Sequence, residues 1–428
     1  MSHSSVAVLA HGLGGSTDLP IPYSYALIGA AWALTFTFAV VAFAWRTPRF
    51  DPDRPGRPLP GWLASTVDSP IARWTVAGLG LVLAVWVIVA GVTGPQDGGN
   101  ALPGAFYVLL WVGVPALSVL IGPVWRVVSP LRTVRRLLPA RAPRRYPEAL
   151  GYWPAAVGLF AFVWLELASP NPGSLTAIKI WLACYVVITL GGALLCGPRW
   201  LSRADPFDVY SVVASRLAVV GRNRDSGKPA WVNPFNHLRT LPVRPGTLAV
   251  LAVLLGSTAF DSFSASPDWR NFADGLGVDP AVTRSIGLLV FVLVVGISFW
   301  GAAQATGGVD RARRRELPGL LAHSLIPIVI GYVFAHYLSY LVEKGQQTLI
   351  TLFGLHDVEV AYVLSAHPAM LATLKVCFVV AGHIAGVVAA HDAAIRLLPS
   401  GHQITGQLTM MLTMVAYTFT GLYLLFGG

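Results

Sequence analysis

Apolar residues lie in long, nearly uninterrupted runs, separated by segments that hold most of the charged positions. A run of about 20 apolar residues is the length that a helix needs to cross a bilayer. A helix also satisfies its own backbone hydrogen bonds, as lipid requires. The pattern therefore predicts an all-α polytopic integral membrane protein, a single domain over residues 1–428 in the lipid bilayer. It predicts about ten spanning helices, at 23–45, 74–94, 104–122, 153–169, 175–196, 247–263, 284–305, 320–342, 370–393 and 409–426.

Composition agrees with this class. Of the 428 residues, 55% are hydrophobic and 12% are charged. Soluble domains contain about 25% charged residues, and disordered chains combine low hydrophobicity with high net charge, so both classes are excluded. The three cysteines, Cys184, Cys196 and Cys377, form no Cys-x-x-Cys pair, and we expect them to be buried packing residues.

The basic residues indicate the orientation. Of the 30 lysines and arginines, 25 lie in loops 46–73, 123–152, 197–246 and 306–319 or at Arg396. Basic loops between spanning helices face the cytoplasm, so this distribution predicts a plasma-membrane protein with both termini outside. An even number of helices agrees with termini on one side. The net charge of +10 does not indicate a nucleic-acid partner, because it is spread over these loops.

Two connecting segments are long enough to hold structure of their own. The cytoplasmic loop 197–246 contains residues 206–220, whose apolar positions have helical spacing and few charges. This pattern predicts a helix that lies on the inner leaflet. We also expect an outer loop over residues 343–369.

Ionisable residues within the spans form the candidate chemistry, because such residues are costly in lipid and mark functional sites. Four histidines lie on the eighth and ninth helices. At 1.5 Å per residue, they and their acidic neighbours separate into two layers. The inner layer is His323, His391 and Asp392, and the outer layer is Asp261, His336 and His383.

Three interpretations of these residues remain open. Imidazole and carboxylate suit a divalent or transition metal such as zinc or copper, and three protein ligands with one open position are typical of a catalytic site. Asp261, His336 and His383 are such a set. Haem held between facing histidine pairs requires matching histidine spacings on the two helices. It is less favoured here, because the spacing is 13 residues on the eighth helix and 8 on the ninth. The third interpretation is a network of interhelical hydrogen bonds, with or without proton transfer. Its expected partners are the hydroxyl residues Tyr332, Tyr337, Ser324, Ser339 and Tyr417.

Glu166 and Lys179 flank the short turn between the fourth and fifth helices, Ser-Pro-Asn-Pro-Gly-Ser. Both lie a few residues from this turn, on the outer side of the predicted topology. We therefore expect them to form an ion pair near the outer surface.

Several segments together resemble a group of bacterial, mostly actinobacterial, membrane proteins that often carry the label fenitrothion hydrolase. The segments are HGLGGSTDLPIP, DPFDVYSVVASRLAVVGR, GSTAFDSF, AHSLIPIVIGYVFAHYLSYL and GHIAGVVAAHD. The resemblance covers most of the chain and implies hydrolysis of a phosphotriester at the membrane, assisted by a metal. Carried over by position, the recurring polar residues of the group are His11, Asp261, His323, His336, His383, His391 and Asp392.

The leading hypothesis is a membrane-embedded, metal-dependent hydrolase of small apolar, organophosphate-like esters. The alternatives are a permease that handles metal ions or protons, and a structural subunit that binds a partner protein. Residues 1–10 lack the basic residues and the apolar length of a signal peptide, which favours an uncleaved outer tail. Val-Leu-Ala before His11 has the form of a signal-peptide end, so a start further upstream would allow a cleavage that leaves His11 as a free N-terminus.

Overall fold

A computed structural model describes residues 19–139, 143–355 and 357–426. His11 lies outside this range. The fold is all-α, as predicted. The principal helices are α1 (Tyr23–Ala44), α2 (Gly61–Asp68), α3 (Pro70–Thr93), α4 (Leu102–Ile121), α5 (Pro130–Leu137), α6 (Trp153–Leu167), α7 (Leu175–Cys196), α8 (Pro206–Ala214), α9 (Thr247–Ser264), α10 (Pro267–Gly275), α11 (Pro280–Gln304), α12 (Arg311–Phe353), α13 (Pro368–Leu397) and α14 (Thr405–Phe426).

Nine of these helices, within the described residues, are long and apolar enough to cross a membrane: α1, α3, α4, α7, α9, α11, α12, α13 and α14. The remaining predicted span, the fourth at 153–169, corresponds to α6, which is apolar but has only 15 residues. At 1.5 Å per residue α6 is about 22 Å long, shorter than the hydrocarbon core of about 30 Å. The protein is therefore a multi-pass membrane protein in which all ten predicted segments are helical.

The helices differ strongly in burial, which separates the centre of the bundle from its rim. In the most apolar 18-residue window, 83% of α12 and 72% of α9 are buried, against 11% of α3 and 17% of α7. The rim helices expose large apolar side chains such as Leu79, Trp86 and Val187. Side chains of this kind fit lipid tails, so the candidate residues on α9 and α12 lie away from lipid.

Glycines allow α12 and α13 to pack closely. A Cβ added at Gly382 would lie 2.5 Å from the Pro327 carbonyl oxygen, and one added at Gly331 would lie 2.5 Å from that of Phe378. Small residues at such crossings allow helix backbones to approach in membranes. This contact sets the relative position of the histidines on the two helices.

The helix predicted on the inner leaflet is instead buried. All nine residues of α8 are inaccessible, and its aromatic residues pack within the bundle. Tyr210 contacts Trp111 of α4, and Phe207 contacts Phe162 of α6, with ring centroids 5.0 and 5.6 Å apart. The interfacial prediction was wrong because the polar side chains of α8, such as Asp208, also bind groups inside the protein, which leaves no face of the helix for the membrane surface.

The basic loops meet at one end of the bundle. Strands β1 (Arg57–Pro58), β2 (Val220–Arg222) and β3 (Pro229–Trp231) form a small antiparallel sheet in the order β1-β3-β2, which joins loops 46–73 and 197–246. Asp68 forms an ion pair with Arg222 at 2.7 Å, and Glu148 forms one with Arg203. Three of the predicted basic loops therefore lie on the same side.

Two further expectations are corrected. Helix α12 continues through Phe353, so the loop predicted at 343–369 is shorter, and the buried Glu343 carboxylate accepts hydrogen bonds from the backbone of Leu364 and Ser365 at 3.0 and 2.7 Å. Cys184 and Cys377 are exposed on their helices and are not buried packing residues.

Candidate functional site

Asp261 and His336 are in direct contact in the centre of the bundle. Asp261, near the end of α9, and His336, in the middle of α12, are both buried. The Asp261 Oδ2 atom lies 2.9 Å from His336 Nε2 and accepts a hydrogen bond from the Tyr337 hydroxyl at 2.8 Å. The structure therefore brings together two of the three predicted outer-layer residues.

Ser262 extends this contact on the other side of the imidazole. Its Oγ atom lies 3.1 Å from His336 Nδ1 and 3.1 Å from the Tyr332 hydroxyl. The Tyr332 hydroxyl in turn donates to the carbonyl oxygen of Gly421 on α14, at 3.3 Å. Ser262, Tyr332 and the imidazole of His336 are almost completely inaccessible.

The hydrogen-bond partners of His336 indicate which of its ring nitrogens carries the proton. A carboxylate only accepts hydrogen bonds, so Nε2 of His336 carries the proton that faces Asp261. Nδ1 of a neutral imidazole is then an acceptor for the Ser262 hydroxyl, which has the Thr258 carbonyl oxygen, at 3.2 Å, as a second acceptor. The result is a Ser262–His336–Asp261 series of hydroxyl, imidazole and carboxylate, the order found in nucleophile–base–carboxylate triads.

His383 does not join this group. Its Nδ1 atom donates to the Val379 carbonyl of its own helix at 2.8 Å, and its buried Nε2 atom has no hydrogen-bond partner among the described residues. The close crossing of Gly331 and Gly382 puts His383 about 9 Å from the level of His336 at 1.5 Å per residue. Among the described residues, no group of three or more histidine, cysteine or acidic side chains has a metal-binding arrangement.

The inner-layer residues have separate contacts. His323 donates through Nδ1 to the Leu320 carbonyl at 2.9 Å. His391 places Nδ1 3.1 Å from Gln407 Oε1 and Nε2 3.0 Å from the Trp45 carbonyl oxygen. These contacts fix the segment that follows α1 and give no common site for His323 and His391.

Asp392 belongs to the same attachment. Its Oδ1 atom accepts hydrogen bonds from the backbone N–H groups of Arg49 and Phe50, at 2.6 and 3.2 Å. Its Oδ2 atom lies 3.7 Å from guanidinium nitrogens of both Arg239 and Arg396. The inner layer therefore connects three segments of chain at the basic end.

Lys179 has a different partner from the one predicted. Its Nζ atom donates to Gln96 Oε1 in the loop after α3, at 2.8 Å, whereas Glu166 is buried on α6. This contact takes the place of the expected Glu166–Lys179 ion pair. The reason is helical phase, since Glu166 lies on a face turned into the bundle and Lys179 lies at its rim.

Comparison of the chain with protein-family models, curated proteins and solved structures gave no match.

Tyr332 and Tyr337 were expected as hydrogen-bond partners, but Ser262 and a second group were missed from the sequence. Ser262 directly follows a predicted site residue, and a hydroxyl beside such a residue is the signal that could have indicated it. The second group surrounds the start of α8, where Asp208 is buried and its carboxylate binds Arg132 at 2.8 Å and Arg126 at 3.5 Å. Asp205 before Pro206 has the form of a helix N-cap, and its carboxylate accepts from the Phe207 N–H at 3.0 Å.

Burial controls the charge of this second group. Loss of solvent, followed by the repulsion of Asp208, raises the pKa of Asp205 to about 6. Loss of solvent also raises the pKa of Asp208, although the guanidiniums of Arg132 and Arg126 oppose this change. The group joins α8 to the basic loop before α6 and has a structural role.

Proposed function

We propose that the protein is a membrane-embedded hydrolase of small apolar esters, including organophosphate-like esters. The observation that supports this proposal is the Ser262–His336–Asp261 series, with 3.1 Å between Ser262 Oγ and His336 Nδ1 and 2.9 Å between His336 Nε2 and Asp261 Oδ2. A nucleophile within hydrogen-bond reach of a base, itself oriented by a carboxylate, is the arrangement of nucleophilic catalysis. Apolar substrates from the bilayer would reach the site through an opening between helices, because Ser262 and His336 are buried.

In the proposed reaction, Ser262 Oγ forms a bond to the phosphorus or carbonyl carbon of the ester while its proton passes to His336 Nδ1. The ester oxygen bond then breaks, and His336 returns the proton to the departing alcohol or phenol. A water molecule, deprotonated by His336, releases the acid and restores Ser262. Asp261 holds the tautomer and stabilises the imidazolium.

A metal ion remains a separate prediction. Asp261 Oδ2 and His336 Nε2 are close enough to bind one zinc or copper ion, because two atoms 2.9 Å apart can both lie about 2.1 Å from it. The described residues supply two such ligands and not the usual three, so the steps above use no metal. Elemental analysis of the purified protein, with Asp261→Asn as the control, tests for an ion.

The proposal includes the plasma membrane and extracytoplasmic termini. It is supported by the gathering of the basic loops at one end of the bundle, because basic loops remain in the cytoplasm. The Ser262 series lies toward the opposite end, near the last turns of α9, and would therefore hydrolyse esters in the outer half of the membrane.

Hydrolysis of p-nitrophenyl diethyl phosphate by purified protein in liposomes tests this function. We expect Ser262→Ala and His336→Gln to lower the rate at least about 100-fold, the usual contribution of a general base. Ser257→Ala is the matched control, because Ser257 is a buried serine of the same helix whose hydroxyl donates to the Leu254 carbonyl of that helix, at 3.4 Å. Full activity in Ser262→Ala would contradict the proposed nucleophile.

A proton-handling permease is the second candidate, favoured by the continuation of the network through Tyr332 to the Gly421 carbonyl on α14. Intramembrane chains of acid, imidazole and hydroxyl groups are typical of proton relays. Proton flux into liposomes, measured with a pH-sensitive dye, distinguishes the two functions. Flux that Asp261→Asn abolishes, without ester hydrolysis in the wild type, would favour the permease over the hydrolase. A partner subunit has no comparable support.

A further inference from the structure

An open groove of about 520 Å³ lies where α11 ends and α12 begins, lined by Trp300, Gln304, Arg311, Arg314 and Arg315. Its volume is within the range of about 300–1,000 Å³ that is usual for small-molecule sites. The groove lies at the end of the bundle that carries the basic loops. It is separate from the Ser262–His336–Asp261 series.

Helical spacing explains why these side chains share the groove. Arg311, Arg314 and Arg315 are separated by three and four residues, so they lie on one face of α12. Trp300 and Gln304, four residues apart, lie on one face of α11. The wall on one side is therefore a row of guanidiniums, and the wall on the other is the end of a membrane-spanning helix.

The structure describes no carboxylate that neutralises the three arginines. Among the described residues, no acidic side chain lies within 4 Å of the guanidinium of Arg311, Arg314 or Arg315. The nearby Glu316 pairs with Arg313 instead, at 3.0 Å, and Asp310 caps the start of α12 through the Arg313 N–H at 2.7 Å. Within the part of the chain that the structure describes, the groove therefore holds three positive charges that no ion pair neutralises, and an anion would be stabilised there.

Trp300 indicates where that anion belongs. It is 52% exposed near the end of a helix whose exposed face is apolar, and exposed tryptophans at helix ends mark the headgroup level of a bilayer. A guanidinium binds a phosphate through two parallel hydrogen bonds. Basic pockets between spanning helices bind the headgroups of anionic lipids.

We infer that this groove binds the phosphate headgroup of an anionic phospholipid, with the acyl chains lying along α11 beside Trp300. Phosphatidylglycerol is the simplest probe of this chemistry. A ligand that binds the folded protein raises its melting temperature. In neutral detergent, we expect phosphatidylglycerol to raise it by on the order of 2–5 °C, and equal phosphatidylcholine to leave it unchanged.

The variant Arg311→Gln/Arg314→Gln/Arg315→Gln should lose at least half of that shift. The matched control is Arg54→Gln/Arg144→Gln/Arg145→Gln, which removes the same charge from exposed arginines of the same end. The control should keep the full shift. The inference is overturned if the groove variant keeps the full shift, or if the control variant loses as much. It is also overturned if inorganic phosphate alone reproduces the shift, because the ligand would then be a soluble anion.

Discussion

The Asp392 carboxylate accepts a hydrogen bond from the backbone N–H of Arg49 at 2.6 Å, across 343 positions of sequence. This contact attaches the segment after α1 to the last turns of α13. Arg239 and Arg396 reinforce it, because each donates to the Phe50 carbonyl oxygen. Asp392 therefore has a structural role, because it connects the segment after α1 to α13.

Asp392→Ala should destabilise the protein by about 2–3 kcal/mol, because it leaves the N–H groups of Arg49 and Phe50 without acceptors. The apparent melting temperature in detergent measures this loss. Asp225→Ala, at an exposed loop position, is the control and should have little effect. An equal loss in both variants would argue against a structural role for Asp392.

Gly382→Ala should separate α12 from α13 and destabilise the protein by about 1–3 kcal/mol, the usual cost of an overpacked contact. The reason is the 2.5 Å approach of the added Cβ to the Pro327 carbonyl oxygen. Gly301→Ala is the control on α11, where an added Cβ meets no atom within 4 Å. Comparable melting temperatures for the two variants would contradict the packing described between α12 and α13.

His237 should contribute a loss of stability to the loop 197–246 as the pH falls from about 6.5 to 4, opposite in sign to the contribution of Asp205, whose raised pKa favours the folded state in acid. Burial, followed by the charge of Arg216, lowers the pKa of His237 to about 4, and Arg216 Nη1 lies 3.1 Å from His237 Nε2. The unfolded chain, with an ordinary histidine pKa near 6.5, binds more protons in this range, so acid favours unfolding.

His237→Gln should reduce this pH dependence, because its amide oxygen can accept from Arg216 without titrating. Melting temperatures of the wild type and the variant between pH 7 and 4.5 measure the difference, which we expect to be on the order of 1–3 °C. His402→Gln, at an exposed position, should retain the wild-type profile. If both substitutions leave the profile unchanged, His237 is not the group responsible.

Reporter domains fused after residue 60 and after residue 428 should report opposite sides of the membrane. The positive-inside rule puts the first fusion in the cytoplasm and the second outside. A fusion after residue 225, in another basic loop, should agree with the first. The topology is incorrect if the fusions at 60 and 428 report the same side.

The spanning helices could be predicted from the sequence because each is a local feature. A run of about 20 apolar residues becomes a helix in lipid whatever its neighbours are, and loop charge follows directly from the residues. The chain therefore determined the all-α class, the ten helical segments and the separation of basic from neutral loops. It also identified Asp261 and His336 as costly intramembrane residues.

Tertiary packing decided which of these residues meet. The crossing at Gly331 and Gly382 fixes the offset of α12 and α13, so His336 contacts Asp261 and Ser262 while His383 remains on its own helix. Helical rotation turned Lys179 toward Gln96, and the insertion of α8 into the bundle buried a segment that its apolar pattern assigned to the membrane surface. Each of these outcomes depends on the rotation, offset or depth of one helix against another, which hydrophobicity along a single segment does not specify.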